Sequence, residues 1–325
     1  MLAYILRRLA ASVLILVLSS MLVFVMVANS GDPLASLRLN PHTPKAVYAL
    51  RRAELHLNDP IPQRYWIWIS HAVHGDFGST IAGQPVAPQL WSHLLVTFEM
   101  VIIATLVAIV VAIAVGVFSA LRQGRAFDSG ATLANFLFIS TPVFVLGLIL
   151  KEFVAIPINN AVGHTIFYTI GQESPNLTGG FLQRLPDYAG HVVLPVLTLI
   201  LVSYPSWAIY QRSSMLEVLD SDYVRLARAK GLRPRRVLVR HTLRNALIPV
   251  TTVIALDFAG ILGGAILVEE VFSWQGVGVW FLAGVGNLDF NVVQAYLLVT
   301  AFFVVMFNLF ADILYGVLDP RIRYG

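Results

Sequence analysis

Six apolar stretches constrain this chain more than any other feature, because each is about as long as an α-helix must be to cross the hydrocarbon of a bilayer. They lie near residues 9–28, 95–119, 132–150, 191–211, 248–268 and 291–315. A chain that is 57 % hydrophobic and only 12 % charged also has too little polar surface to cover a soluble globule of this size. The sequence therefore predicts an all-α integral membrane protein with six transmembrane helices.

The distribution of basic residues predicts the orientation of these helices. The segments 1–8, 122–131, 212–247 and 319–325 together hold 15 of the 22 lysines and arginines. Cytoplasmic loops retain positive charge during insertion, so we expect these four segments to face the cytoplasm. An even number of spans then leaves both termini on the cytoplasmic side.

Three regions follow from this topology. Residues 1–28 form the cytoplasmic N-terminus and the first span, and residues 95–325 form a five-span core with a cytoplasmic loop at 212–247. Residues 29–94 are too long for a simple loop, and we expect a small extracytoplasmic cap domain with short helices near 45–57 and 61–73. The cap has two interpretations, a structural lid on the helices or a docking surface for a soluble partner.

A basic segment, residues 217–249, separates the fourth and fifth apolar stretches. Residues Glu217 to Lys230 contain no proline or glycine, which predicts one helix that ends at Gly231. Pro234 suits the first turn of a second helix. Ala227 and Gly231 lie four residues apart, so we expect them to form a docking notch that another backbone can approach closely.

The second helix of this segment carries a repeated pattern of arginines. Arg236, Arg240 and Arg244 recur every four residues and predict a basic stripe on one face. Val239, Leu243 and Leu247 predict an adjacent apolar stripe. The basic stripe has two interpretations, contact with lipid headgroups or contact with a partner protein.

Several ordered motifs carry a resemblance to a known family. They read HGDFGST at 74–80, DYVRLARAKGL at 222–232, RHTLRNALIPV at 240–250, LVEEVFSWQGVG at 267–278 and LDPRIR at 318–323. Together they resemble ABC importer permeases of the dipeptide and oligopeptide subfamily, specifically the first of the two paired membrane subunits. The segment from 222 to 250 resembles the cytoplasmic EAA loop of those permeases.

The resemblance implies a fold, partners and a role for the basic loop. It implies a type I importer permease that pairs with a second homologous permease and two cytoplasmic ATPases, and that receives peptides from an extracytoplasmic binding protein in a bacterial cell membrane. The first loop helix is then a coupling helix that contacts an ATPase. The sequence departs from the general EAA-loop pattern at Arg225, where that pattern has Glu, and at Arg244, where it has Pro, and peptide-type permeases tolerate both departures. The implied coupling residues are Asp222, Tyr223, Arg225, Ala227, Arg228, Ala229, Lys230 and Gly231.

Several chemistries are excluded by what the chain lacks. It has no cysteine for thiolate metal sites or nucleophiles, and no GxxxxGK[ST] phosphate-binding loop. We therefore expect no catalytic residues and no metal site, with ATP and Mg²⁺ bound by the partner ATPases. A net charge of +4 is small for a protein that binds nucleic acid, and we expect no such partner. The bilayer itself surrounds the spans.

One carboxylate within the apolar stretches suggests where cargo passes. Asp257 lies about halfway along the fifth stretch, where a charged side chain costs on the order of 2.5 to 3.5 kcal/mol. It either lines the translocation path, with Gly260 and Gly264 beside it at the border with the partner permease, or it is a neutral acid hydrogen-bonded between helices.

Two rival functions are weaker. An ion-coupled secondary peptide carrier usually has a relay of intramembrane ionisable groups, and Asp257 stands nearly alone. An intramembrane hydrolase needs a nucleophile and a base close together, whereas His191 and Ser203 are separated by roughly 18 Å along one helix. The sequence leaves the cargo open among dipeptides, longer peptides, glutathione and metal chelates.

Overall fold

The computed structural model describes residues 2–35, 38, 44–175 and 180–318, and its regular secondary structure is helical throughout this part of the chain. The only paired extended backbone in these ranges is an isolated bridge between Ser79 and Pro85. The helices are α1 (Leu2–Ala28), α2 (Lys45–Glu54), α3 (Ile61–Ala72), α4 (Val86–Leu121), α5 (Ala126–Ser140), α6 (Val143–Ile149), a π-helical segment (Leu150–Ala155), α7 (Ile156–Val162), α8 (Phe181–Leu219), α9 (Asp222–Ala229), α10 (Pro234–Arg236), a second π-helical segment (Val237–Leu243), α11 (Arg244–Phe272), α12 (Val277–Gly286) and α13 (Phe290–Leu318).

The predicted all-α membrane fold is confirmed by the lengths and composition of these helices. Five segments within the described ranges are long and apolar enough to cross a membrane, and there are six if Ala265–Phe272 and Val277–Gly286 count as one broken span. The predicted fifth stretch, 248–268, lies within α11. The five segments are Arg7–Ala28, Val86–Leu121, Val143–Val162, Leu182–Leu219 and Phe290–Ile313.

The predicted third span, residues 132–150, is wrong in its position. Helix α5 ends at Ser140, and Thr141 has an extended backbone (ψ 124°) because the ring of Pro142 disfavours a helical conformation at the preceding residue. The segment that can cross the membrane is instead 143–162. It contains Lys151, whose Nζ donates a hydrogen bond to the Val271 carbonyl at 2.9 Å, near the C-terminal end of α11. A cation is favoured there because the last carbonyls of a helix carry partial negative charge.

The chain divides into two compact units, of which one contains residues 98–274 and the chain from 307 onward. Its core includes the packing of α8 against α11 and against α5. A methyl group added at Gly116 of α4 would lie only 2.6 Å from the Cβ of Gln211, so α4 and α8 touch at the backbone here. Ala120, Met215 and Ala246 continue this contact as a buried cluster of α4, α8 and α11.

An ion pair fixes one end of α8 in this unit. The Arg212 guanidinium donates to both oxygens of Asp128 on α5, from Nε at 2.6 Å and from Nη2 at 2.7 Å. Asp128 also accepts a hydrogen bond from the Gly124 amide at 2.9 Å, and its side chain is buried. The hydrogen bonds from Arg212 hold the pKa of the Asp128 carboxyl below its ordinary value.

The second unit contains residues 2–97 and 275–306. The two predicted cap helices are confirmed as α2 and α3. Helix α3 packs on α1, where Phe24 lies edge-on to Tyr65 at 5.4 Å between ring centroids and the hydroxyls of Ser20 and Tyr65 are 2.8 Å apart. Asp289, which precedes α13, accepts a hydrogen bond from the Ile81 amide at 2.8 Å, and burial raises the pKa of its carboxyl. Side-chain packing on α1 and the hydrogen bond to Asp289 therefore hold the cap segment in this unit. The boundaries of the cap domain at 29 and 94 stay a prediction.

We expect the Asp128→Asn variant to unfold more easily than the wild type, because it leaves the Arg212 guanidinium without its carboxylate. The expected loss is about 2 kcal/mol, typical of hydrogen bonds to a charged group. Since the folded-state pKa of Asp128 is lowered, the stabilisation is complete above the unfolded-state pKa of about 4 and disappears as the pH falls through the folded value.

Thermal unfolding of the detergent-purified chain checks this prediction at neutral and acidic pH. Asp220→Asn, a change of the same charge at an exposed turn position, is the control. A gap between Asp128→Asn and wild type that stays constant on acidification would contradict the assignment to the carboxylate.

Candidate functional site

The basic segment folds into a hairpin whose first helix is shorter than predicted. The single helix expected from Glu217 to Lys230 is wrong, because α8 ends at Leu219 and α9 begins at Asp222. Between them, Ser221 has an extended backbone (φ −70°, ψ 148°), and its hydroxyl donates to the Val218 carbonyl. The chain therefore turns at Asp220 and Ser221, and α9 is a separate helix of eight residues.

The end of α9 matches the prediction at Gly231. This residue has φ +73°, a left-handed conformation that glycine adopts without steric cost. The Gly231 amide donates to the Arg228 carbonyl at 2.9 Å, and the Leu232 amide donates to the Ala227 carbonyl at 3.4 Å. These two bonds form a Schellman motif, and Leu232 packs on the buried cluster beneath α9 as that motif usually requires.

The buried face of α9 contacts the second helix of the hairpin. Val224 and Ala227 pack against Val237, and all three side chains are buried. The predicted docking notch is therefore corrected, because Ala227 faces the chain's own second helix while Gly231 is exposed with open space around it. Of the other predicted coupling residues, all are exposed: Asp222, Tyr223, Arg225, Arg228, Ala229 and Lys230.

The exposed face of α9 carries an apolar ridge that the sequence reasoning missed. Tyr223 is 45 % exposed and Leu226 is 55 % exposed, and they lie three residues apart on one side of the helix. The spacing alone does not identify this pair, because Val224 and Ala227 are also three residues apart, and only the structure shows that they face inward. Arg225 contacts Asp222 at 3.8 Å in a fully exposed ion pair, which contributes little to stability.

The second helix of the hairpin begins at Pro234, as predicted, but a π-helical turn changes its periodicity. Its buried residues are Val237, Thr242, Ala246 and Val250, so the first interval is five residues and the next two are four. The apolar stripe expected from Val239 is not the buried one, because Val239 is 53 % exposed. The wider spacing follows from the π-helical segment, in which backbone hydrogen bonds span five residues.

The arginines of the predicted basic stripe lie on the outside of this helix. Arg236, Arg240 and Arg244 are all exposed. Helix continues from Pro234 to Phe272 without a break, through α10, the π-helical segment and α11. The hairpin is therefore joined directly to the helix that contains Asp257.

Asp257 is hydrogen-bonded between two helices. Trp207 of α8, which is almost fully buried, donates from its indole Nε1 to Asp257 Oδ2 of α11 at 2.8 Å. Asp257 itself is exposed on the surface of this chain, as are Leu256 and Gly260, and the space beside Gly260 is open. Gly264 lies in the same helix. A carboxylate that faces lipid is costly, so this face of α11 is a candidate boundary with water or with another protein.

The same region offers no cluster that resembles a metal centre. In the described ranges, no group of three or more His, Cys, Asp or Glu side chains is arranged to hold a metal ion. The exposed groups of the hairpin include the apolar side chains of Tyr223 and Leu226 and the charged side chains of its arginines.

Membrane-spanning helices joined by an exposed basic hairpin are the architecture of a transporter subunit, and comparison with known proteins agrees. Residues 112–324 match the binding-protein-dependent transport system inner membrane component, and residues 1–93 match the N-terminal part of the corresponding membrane component. The chain belongs to this family.

Three relatives are similar over essentially their whole length. The oligopeptide transport system permease protein OppB of Mycobacterium tuberculosis H37Rv is 40 % identical over 323 residues, which cover 98 % of each chain. The dipeptide transport system permease protein DppB of Escherichia coli K12 is 35 % identical over 340 residues, covering 100 % of this chain and 99 % of that one. The glutathione transport system permease protein GsiC of Salmonella choleraesuis is 36 % identical over 327 residues and all of both chains. The resemblance to importer permeases and the type I permease fold are confirmed.

We expect Gly231→Ala to loosen α9, because an alanine in the left-handed conformation costs about 1 to 2 kcal/mol. Hydrogen exchange at the amides of residues 222–232 should become faster, while exchange in α11 stays unchanged. Gly130→Ala is the matched control, since Gly130 lies inside α5 with open space around it and alanine favours a helix. Unchanged exchange in Gly231→Ala would contradict the Schellman motif.

Proposed function

We propose that this chain is one of two paired permease subunits of an ATP-driven importer that translocates short peptides delivered by an extracytoplasmic binding protein. The observation that carries the proposal is full-length similarity to permeases named for oligopeptide, dipeptide and glutathione transport. These three cargoes share a short peptide backbone. In this proposal the chain lies in the bacterial inner membrane with both termini in the cytoplasm, and the distribution of its basic residues supports that orientation.

In this proposal the hairpin receives force from a cytoplasmic ATPase. The exposed ridge of Tyr223 and Leu226 on α9 supplies an apolar contact, and its buried face holds α9 against Val237. Since the helix from Pro234 to Phe272 is continuous, a displacement of α9 is carried into the membrane-spanning part of α11. Two ATPase subunits bind ATP and Mg²⁺, and this chain performs no hydrolysis because it has no phosphate-binding loop.

The exposed face of α11 then borders the second permease subunit and the translocation path. Asp257 lies on this face with one oxygen bonded to Trp207. Its second oxygen is available to attract the ammonium group of a peptide. Gly260 and Gly264 lie four residues apart and allow another helix to approach closely.

We expect Leu226→Asp to weaken contact with the ATPase, because it places a charge where the proposal buries a leucine. The expected loss is about 2 kcal/mol, or roughly thirtyfold in affinity. Leu226→Met keeps an apolar side chain of similar volume and is the matched control. The measurement is peptide-stimulated ATP hydrolysis by the reconstituted permease pair, ATPases and binding protein, together with copurification of the ATPases.

Two outcomes would contradict this proposal in different ways. Full stimulation in Leu226→Asp would show that the ATPase contacts another part of the chain. Peptide uptake by the permease pair without any ATPase would favour the alternative, an ion-coupled secondary carrier.

We expect Asp257→Asn to reduce uptake of a dipeptide with a free amino group by about fivefold, since about 1 kcal/mol of charge attraction is lost in a hydrated path. Uptake of the N-acetylated dipeptide should not change. The asparagine side-chain oxygen can still accept the hydrogen bond from Trp207, so the helix contact is kept. Trp207→Phe removes that bond and keeps the charge, and it should affect both peptides equally. Equal loss for both peptides in Asp257→Asn would leave the carboxylate a purely structural role.

A further inference from the structure

A pocket of about 530 Å³ lies beside the hairpin, on the side formed by the ends of two membrane helices. Its walls include Leu121 at the end of α4 and Leu219 at the end of α8. Leu232 and Leu238 of the hairpin add further apolar surface, and Arg228 and Arg235 complete the lining. The pocket is separate from the ridge of Tyr223 and Leu226, neither of which lines it.

The ends of α4 and α8 locate this pocket relative to the spanning helices. The apolar stretch of α4 ends near residue 119, and Leu121 follows two residues later, about 3 Å further along the helix axis. The hydrocarbon core of a bilayer is bounded on each side by a headgroup layer of several ångströms. Leu121 and Leu219 are the last residues of two segments long and apolar enough to cross a membrane, so the pocket lies where these two segments end.

The charged side chains in the described lining of the pocket are two arginines, and both are positive. Arg228 and Arg235 are both exposed, and neither guanidinium has an ion-pair or hydrogen-bond partner in the described ranges. Among the described residues, no acidic side chain lines the pocket, and the other polar lining side chain is that of Thr242. Arginine binds phosphate oxygens with two parallel hydrogen bonds, so the pocket combines an apolar floor with two free phosphate-binding groups.

We propose that this pocket binds one anionic phospholipid, with its phosphate on Arg228 and Arg235 and an acyl chain against Leu121, Leu219 and Leu238. Charge complementarity and continuity with the ends of two spanning helices favour a lipid over a protein segment. The lipid fills the space between the membrane helices and the hairpin and supports the hairpin from its membrane side. This inference rests on the ends of the spanning helices and on the fold of the hairpin. It does not depend on the cargo or on the ATPase contact proposed above.

Native mass spectrometry of the full chain in nonionic detergent tests the proposal with two lipids. Phosphatidylglycerol and phosphatidylcholine with the same acyl chains are added in turn, and the first bound lipid is counted. We expect preferential binding of phosphatidylglycerol, reduced about fivefold in Arg235→Gln, since a basic residue near anionic lipid contributes roughly that factor. Arg236→Gln is the matched control, because Arg236 is the exposed neighbour that does not line the pocket. The preference of the Arg236→Gln variant for phosphatidylglycerol should stay within twofold of the wild-type preference.

A second variant tests the apolar part of the site. Leu121→Gln should weaken binding of phosphatidylglycerol while keeping both arginines. Glycerophosphoglycerol, the headgroup without acyl chains, should not displace the bound lipid at equal concentration. Thermal unfolding measured on the same samples shows that the variants are folded, and Arg235 is exposed enough for its replacement to be tolerated.

Three results would overturn the proposal. Equal binding of the two lipids, or an equal loss in Arg235→Gln and Arg236→Gln, would show only diffuse attraction. Displacement by glycerophosphoglycerol would show a site for free phosphate esters and not for a lipid. Unchanged lipid binding in Arg235→Gln together with weaker copurification of the ATPases would assign the pocket to a protein contact.

Discussion

Every backbone amide and carbonyl within the hydrocarbon must find a partner inside the protein, and the rest of this structure depends on that constraint. It makes each span a helix, and it limits where the backbone can depart from regular helical geometry. Lys151 lies inside a candidate span, and its ammonium group donates to the Val271 carbonyl near the end of α11. In the hairpin, the hydroxyl of Thr242 donates to the Val237 carbonyl at 3.3 Å, within the π-helical segment. At both places a backbone carbonyl therefore accepts a hydrogen bond from a side chain.

The π-helical segment connects this constraint to the proposed function. By widening one interval to five residues, it places Val237 under α9 and still returns Ala246 and Val250 to the buried face of α11. A regular α-helix starting at Pro234 would turn either Val237 or the pair Ala246 and Val250 toward the surface. The same helix therefore holds the hairpin and packs in the membrane core, so that α9 is tied to α11 by packing as well as by the chain.

Local signals in the sequence were sufficient for part of this arrangement. Hydropathy predicted the helical membrane class, and the chemistry of glycine and proline predicted that one helix ends at Gly231 and another begins at Pro234. Pro142 splits an apolar stretch that hydropathy alone treats as continuous. The burial of Ala227 and the bond between Asp128 and Arg212 depend on residues remote in sequence, and no periodicity identifies such partners. The exposed pair Tyr223 and Leu226 became visible only once the inward face of α9 was known.

The exposed face of α11 is where the proposed second permease subunit would bind. Asp257 has one hydrogen bond, from Trp207, and lies on a surface that includes Leu256 and the open space beside Gly260. Lipid against this face would leave the carboxylate poorly solvated, at a cost on the order of 2.5 to 3.5 kcal/mol. A second permease would cover the apolar residues, and a hydrated path between the two subunits would solvate the acid. In that arrangement the buried indole of Trp207 would hold the carboxylate toward the boundary, through its hydrogen bond to Asp257 Oδ2.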